Sequence, residues 1–284
     1  VMDEFRMLMD YYSSTRYVGS RLYRMTMEPL MATLRDARHL IIVPHDQLVR
    51  LPYAALNDAE GRFLVENFSL SYIDSLWLLG QKNGRTLTRE PKILALGNPT
   101  NPLNLPDLEF ASRESQSIQR YFPAASVVIG ADATESALKE SQADILHIAA
   151  HSQLDFAKPL DSMLVLAPSQ DDDGKLKVRE LFQEKIPSSM VVLSACETAG
   201  GDKAVAQTLG SFHKGFFVAG ASSVVTTLWR INDLGAAVVM KRFYRSLREG
   251  LDKAAALQQA QKIAKQYFPH PAYWSAYRLY GSYL

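Results

Sequence analysis

Residues 190–201 read MVVLSACETAGG. The apolar run Met190 to Leu193 is too short for a helix and stops at Ser194-Ala195, where the chain delivers its single cysteine, Cys196, into a turn. Short continuous apolar runs bounded by turn residues mark strands buried on both faces of a sheet. The same pattern recurs at 92-KILALG-97, 126-SVVIG-130, 145-ILHIAA-150, 163-MLVLA-167 and 223-SVVTTLW-229. Between and after these runs lie stretches of helical spacing, at 107–122, 134–142, 203–220, 233–250 and 252–267. Thr134 stands where an N-cap belongs, and Gly220 and Gly250 stand where helices end. Strands alternating with helices predict an α/β fold with a mostly parallel sheet covered on both faces.

Upstream the rhythm differs. Phe5, Leu8, Met9, Tyr12, Leu22, Met25, Leu30 and Leu34 have the spacing of amphipathic helices. The stretches 39-HLIIVPHD-46 and 68-FSLSYI-73 read as strands flanking a turn at Asp58-Ala59-Glu60-Gly61. The polar run from Lys82 to Pro91 reads as a linker, dividing the chain into 1–88 and 89–284.

Composition narrows the function classes. Hydrophobic residues make up 47% of the 284 and charged residues 21%, with a net charge of +1. That balance gives no nucleic-acid footprint. No apolar run reaches the roughly 20 residues of a membrane span, and the N-terminus lacks a signal-peptide pattern. One cysteine makes no internal disulfide, which fits a reducing compartment such as the cytoplasm. A chain that opens on Val1 rather than Met suggests a piece of something longer.

In a parallel sheet, reactive groups gather beyond the carboxyl ends of the strands. Two strands here end in chemically useful residues: 145-ILHIAA-150 runs into His151-Ser152, and 190-MVVLSA-195 into Cys196. A thiol becomes a nucleophile when a base lies within hydrogen-bond reach, and histidine supplies such a base near neutral pH. Alone, a cysteine more often packs as a small hydrophobe. His147 is read as packing, and His39, His45, His213 and His270 as structural. The pair shifts the balance, because His151 precedes Cys196 by 45 positions (151 to 196), each at a strand terminus. That order and spacing match the caspase-type arrangement.

The local sequences extend the match. The chain resembles the CHAT family of caspase-like, separase-related peptidase domains, often found at the end of larger bacterial proteins. The resemblance is carried by 41-IIVPHDQLVRLPYAAL-56, 68-FSLSYIDSLWLL-79, 94-LALGNP-99, 134-TESALK-139, 146-LHIAAHSQLD-155, 193-LSACETAGG-201, 219-AGASSVVTTLWRINDLGA-236, 243-FYRSLREG-250 and 270-HPAYWSAYRLYG-281. It implies a caspase-like three-layer α/β/α sandwich with an N-terminal pseudo-protease half packed on the active half. It also implies a cysteine endopeptidase acting on protein or peptide substrates through a His151–Cys196 dyad. The backbone N–H groups of Cys196 and Ser152 would form the oxyanion hole. Relatives often carry glycine at the second position, so the serine side chain is a departure. A regulatory domain or partner is expected, such as helical repeats N-terminal to this chain.

Charged candidates for reading the P1 side chain are Asp233 and Asp155, favouring a basic residue, and Arg230, favouring an acidic one. Each has a local alternative: Asp233 as a helix N-cap, Asp155 as a turn cap, Arg230 in stacking or pairing. Glu197 is read as a loop organiser, since a carboxylate beside the thiol disfavours thiolate. The stretch 169-SQDDDGKLKVRE-180 resembles a calcium loop, but it begins with Ser169 and its flanks read as strands, so Asp173-Gly174 is a turn. No cofactor or metal is expected. Two other classes stay open: a catalytically silent interaction module on the same fold, and a small-molecule hydrolase using the same dyad.

Overall fold

The strands, in chain order, are β1 (His39–Ile42), β2 (Ser69–Tyr72), β3 (Ile93–Pro99), β4 (Ser126–Gly130), β5 (Ile145–Ala149), β6 (His151–Gln153), β7 (Met163–Val165), β8 (Lys175–Lys177), β9 (Met190–Leu193), β10 (Ser223–Thr227) and β11 (Tyr277–Gly281). They come from a computed structural model that describes residues 2–10, 14–76, 85–194, 212–229 and 231–284. Eight of them form one sheet in the order β1-β2-β11-β10-β9-β5-β3-β4. Every pairing in it is parallel except that of β10 with β11. β1 and β2, from before residue 88, extend this sheet through β11.

Parallel strands covered on both faces need apolar side chains on both, and β5 and β9 are buried along their whole length. Alternation sends Ile145, Met190, Val192 and Val225 to one face and Leu146, Ile148, Val191, Leu193 and Val224 to the other. Against the first face pack α1 (Met2–Asp10), α2 (Arg16–Thr26), α4 (Glu109–Ile118), α8 (Asp233–Arg248) and α9 (Lys253–Tyr267), with the short α3 (Leu64–Asn67) beside them. Against the second lie α5 (Glu135–Lys139), α6 (Val178–Leu181) and α7 (residues 212–218). The result is a mostly parallel three-layer α/β/α sandwich, as the sequence leads one to expect. Thr134 caps α5 by accepting from the Ala137 N–H at 3.1 Å, and Gly220 and Gly250 end their helices at positive φ.

Among the departures from the sequence reading, two change the sheets. The stretch 163-MLVLA-167 does not enter the main sheet. β7 instead pairs antiparallel with β6 and β8 in a side sheet. Its leucines are as buried as core-strand residues, so burial alone mimics the signal. Two of the aspartates between β7 and β8 are spoken for: Asp172 binds the Lys139 ammonium at 2.8 Å, and Asp173 caps its own turn through the Lys175 N–H. The second departure is β11, which the sequence reading leaves without a strand.

At the foot of the sheet, Lys253 opens α9 with only 1% of its surface exposed. Its ammonium donates to the Ser189 carbonyl at 3.2 Å and, weakly, to that of Ser282 at 3.5 Å. Burial pushes its pKa down to about 8. The folded state thus binds fewer protons than the unfolded chain between about pH 8 and pH 10, so stability rises with pH across that window. The Ser189 carbonyl keeps a second donor, the Ser223 hydroxyl at 2.8 Å. Lys253→Met is therefore expected to stabilise the fold at pH 7 by about 1–3 kcal/mol. Denaturation at pH 7 and at pH 10 checks this: the gain should shrink at the higher pH, and a pH-independent difference would refute the assignment.

Candidate active site

The site is built where β3, β5 and β9 end together. β5 pairs with both β3 and β9, with Ile148 opposite Leu193. The Ser194 N–H still donates to the Ile148 carbonyl at 2.9 Å, keeping the two chains in step one residue past β9. The chain leaving β5 turns at Ala150 into β6, so His151 stands beyond the carboxyl end of the sheet. It is held there by antiparallel pairing with Val165.

The loop that leaves β3 supplies the partner of His151. Gly97 lets α4 approach β3 closely, since a Cβ there would lie 2.6 Å from Ser115 Oγ and 3.0 Å from the Ala111 carbonyl. Asn98, at φ +46°, accepts from the Leu108 N–H at 2.8 Å. Asn101 accepts from the N–H groups of Leu103 and Leu105 and donates back to the Leu105 carbonyl. Wound on these two amides, the loop brings the Pro106 carbonyl to 2.7 Å from His151 Nε2. A carbonyl only accepts, so Nε2 carries a proton and donates it. In the neutral ring Nδ1 is then the lone-pair nitrogen. The Pro106 carbonyl is the partner of His151 that sequence reasoning missed. Its one legible trace is the Asn- and Pro-rich run 98-NPTNPLNLP-106 after an apolar strand.

The remaining sequence candidates sit as follows. Ser152 is buried beside His151, opposite Leu164. Asp155 Oδ1 accepts from the N–H groups of Ala157 and Lys158 at 2.9 and 2.8 Å, capping its turn. The N-cap of α8 is Asn232, whose Oδ1 accepts from the Leu234 N–H at 3.0 Å. Asp233 is thus the first helical residue and not the cap; it is exposed and lies beyond the end of β10, the neighbour of β9. Cys196, Glu197 and Arg230 lie outside the described residues. An open cavity of about 490 Å³ lies at the other end of the sheet, between Glu90–Leu94 and Glu140–Ala143, away from His151. Among the described residues no cluster of three or more His, Cys, Asp or Glu side chains could hold a metal ion, and no helix is long and apolar enough to cross a membrane.

The fold has counterparts in known proteins. Yeast (Saccharomyces cerevisiae) separase, solved in complex with securin, superposes with a TM-score of 0.57 at 15% identity, over 86% of this chain and 15% of that one. The Arg-specific cysteine proteinase gingipain R gives the same TM-score at 8% identity, over 94% of this chain and 66% of that one. The sandwich is therefore caspase-like. In sequence, human tetratricopeptide repeat protein 28 is 24% identical over 86% of this chain, and the mouse protein matches to the same extent. This chain spans 12% of the length of those relatives. Residues 16–282 match the CHAT domain, and the chain belongs to that family.

Proposed function

We propose that this domain is a caspase- and separase-like cysteine endopeptidase in which His151 and Cys196 cut peptide bonds. The observation that carries the reading is the 2.7 Å bond from His151 Nε2 to the Pro106 carbonyl. It leaves Nδ1 as the basic atom of a histidine standing beside the strand that leads to Cys196. In this scheme Nδ1 takes the thiol proton, and the thiolate attacks the scissile carbonyl carbon. The backbone N–H groups of Ser152 and Cys196 hold the oxyanion as the tetrahedral adduct forms. Collapse breaks the C–N bond, and the leaving amine takes the proton from His151. Water, deprotonated by the same nitrogen, then cleaves the thioester. Throughout, the Pro106 carbonyl keeps the ring oriented and stabilises the imidazolium.

For P1 the reading favours a basic side chain, with Asp233 as the carboxylate that meets it. Asp155 already spends one oxygen on its turn, and Arg230 is the candidate for the opposite preference. Control by a further region fits the repeat-protein relatives, of which this chain matches a small part. That region would be a helical-repeat partner or domain, and a reducing cytoplasm would keep the thiol free.

Thiol-reactive peptidyl probes with Arg, Lys, Asp or Leu at P1 test the proposal, with adducts located by mass spectrometry and Cys196→Ala as control. The expected result is rapid labelling at Cys196 with the basic probes ahead. Slow labelling indifferent to P1 would instead support the silent interaction module.

A further inference from the structure

Beneath the site, three buried polar side chains from three elements meet. His147 of β5 is fully buried, and its Nδ1 lies 3.0 Å from the Tyr244 hydroxyl of α8. Burial, and then the nearby Glu114 charge, push the Tyr244 pKa well up, so its hydroxyl stays protonated and can donate to Nδ1. That arrangement leaves the Nε2–H of His147 facing Glu114 of α4. Nε2 and Glu114 Oε1 approach to 3.0 Å, but off the line a hydrogen bond requires, so neither atom has a hydrogen-bond partner among the described residues. The contact is a close polar approach rather than a closed bond. Phe122 and Phe243 wall the Tyr244 ring edge-on, and no lysine or arginine pairs with Glu114 among the described residues.

Buried polar groups are costly unless they are mutually satisfied, so their presence where apolar packing would serve calls for a reason. The reason offered by the topology is what each element carries. β5 leads within two residues to His151. α4 follows directly from the loop that presents the Pro106 carbonyl. α8 begins with Asp233, at the same end of the sheet. A hydrogen bond of 2.7 Å between a ring and a backbone carbonyl survives only if the strand and the loop keep their spacing to a few tenths of an ångström.

We propose that Glu114, His147 and Tyr244 form a positioning network that sets His151 against the Pro106 carbonyl. It rests on the reading of His151 as the base, but its effect on the His151 ring can be observed without turnover. The experiment uses the full chain with Tyr244→Phe, which keeps the volume, and with Glu114→Gln and Glu114→Ala. Imidazole ¹⁵N resonances of His151 report its tautomer and titration, peptide cleavage gives kcat and KM, and thermal melts report folding. Expected in folded Tyr244→Phe are displaced His151 resonances and a kcat lowered about tenfold with KM unchanged, the size typical of losing an outer-shell partner. Glu114→Gln, which keeps an oxygen toward His147, should recover most of what Glu114→Ala loses. Unmoved His151 resonances in a folded Tyr244→Phe protein would overturn the inference. Moved resonances in a chain that never cleaves or labels would sink the peptidase reading and leave the positioning network standing.

Discussion

Replacing His151 by alanine is expected to lower peptide cleavage by about 10²–10⁴-fold, the range that a positioned general acid–base supplies. The proposed scheme gives this one ring every proton transfer: it takes a proton from the thiol, returns it to the amine, and takes one from water. The other two buried histidines are already engaged. His147 is committed beneath the sheet, and His213 is buried with its Nε2 2.8 Å from Asp74 and its ring stacked on Tyr280. The cost to the fold should be small by comparison. Among the described residues the ring's polar contact is to the Pro106 carbonyl, and such a bond contributes about 1 kcal/mol net. Activity and stability therefore separate. Cleavage assays alongside thermal melts read both, and a folded His151→Ala protein that cuts at the wild-type rate would remove His151 from the mechanism. Loss through kcat with KM unchanged would mark an interaction made in the transition state.

The parts of this site legible in sequence are those whose residue type and surroundings agree. β5 and β9 read as strands because both faces are apolar, and His151 stands out because it ends such a run. Less legible is whatever depends on a backbone atom or on tertiary satisfaction of a polar group. The Pro106 carbonyl has no side-chain identity to read. Its position follows from Asn98 and Asn101 turning the loop back on itself, a consequence of amide hydrogen bonds and not of composition. The cap of α8 slips by one residue because Asn232 and Asp233 are both good caps, and only the local geometry chooses between them. β11 hides for another reason. Tyr277-Arg278-Leu279-Tyr280 places a guanidinium in the middle of a strand that is buried at all four positions. By sequence that charge belongs at a surface.

Arg278 is buried because the fold needs its donors, and Arg278→Met is expected to destabilise the protein by about 2–3 kcal/mol. The guanidinium donates to the Val49 and Leu51 carbonyls, each at 2.6 Å, and to the Tyr280 hydroxyl at 3.1 Å. Its Cζ lies 4.5 Å from the Tyr72 ring centroid. Among the described residues no carboxylate pairs with it and its Nε has no hydrogen-bond partner. Methionine would relieve the burial of this charge, which works in its favour. It would also strand the Val49 carbonyl, at roughly 1–3 kcal/mol, remove one of two donors from the Leu51 carbonyl, which keeps the Tyr53 N–H at 2.8 Å, and forfeit the contact with the Tyr72 ring. The losses outweigh the relief because the guanidinium spreads its charge over three good acceptors and an aromatic face. Lysine should rescue little, since a single ammonium cannot span both carbonyls as the planar fork does. Location makes the loss matter. β11 meets β2 through one register pair, Tyr280 with Tyr72, so the ladder joining the N-terminal strands to the rest of the sheet is narrow. Arg278 reinforces that seam by tying β11 to the chain around Leu51. Chemical denaturation of Arg278→Met and Arg278→Lys would measure the effect, and a loss below about 1 kcal/mol would mean that apolar packing alone holds the seam.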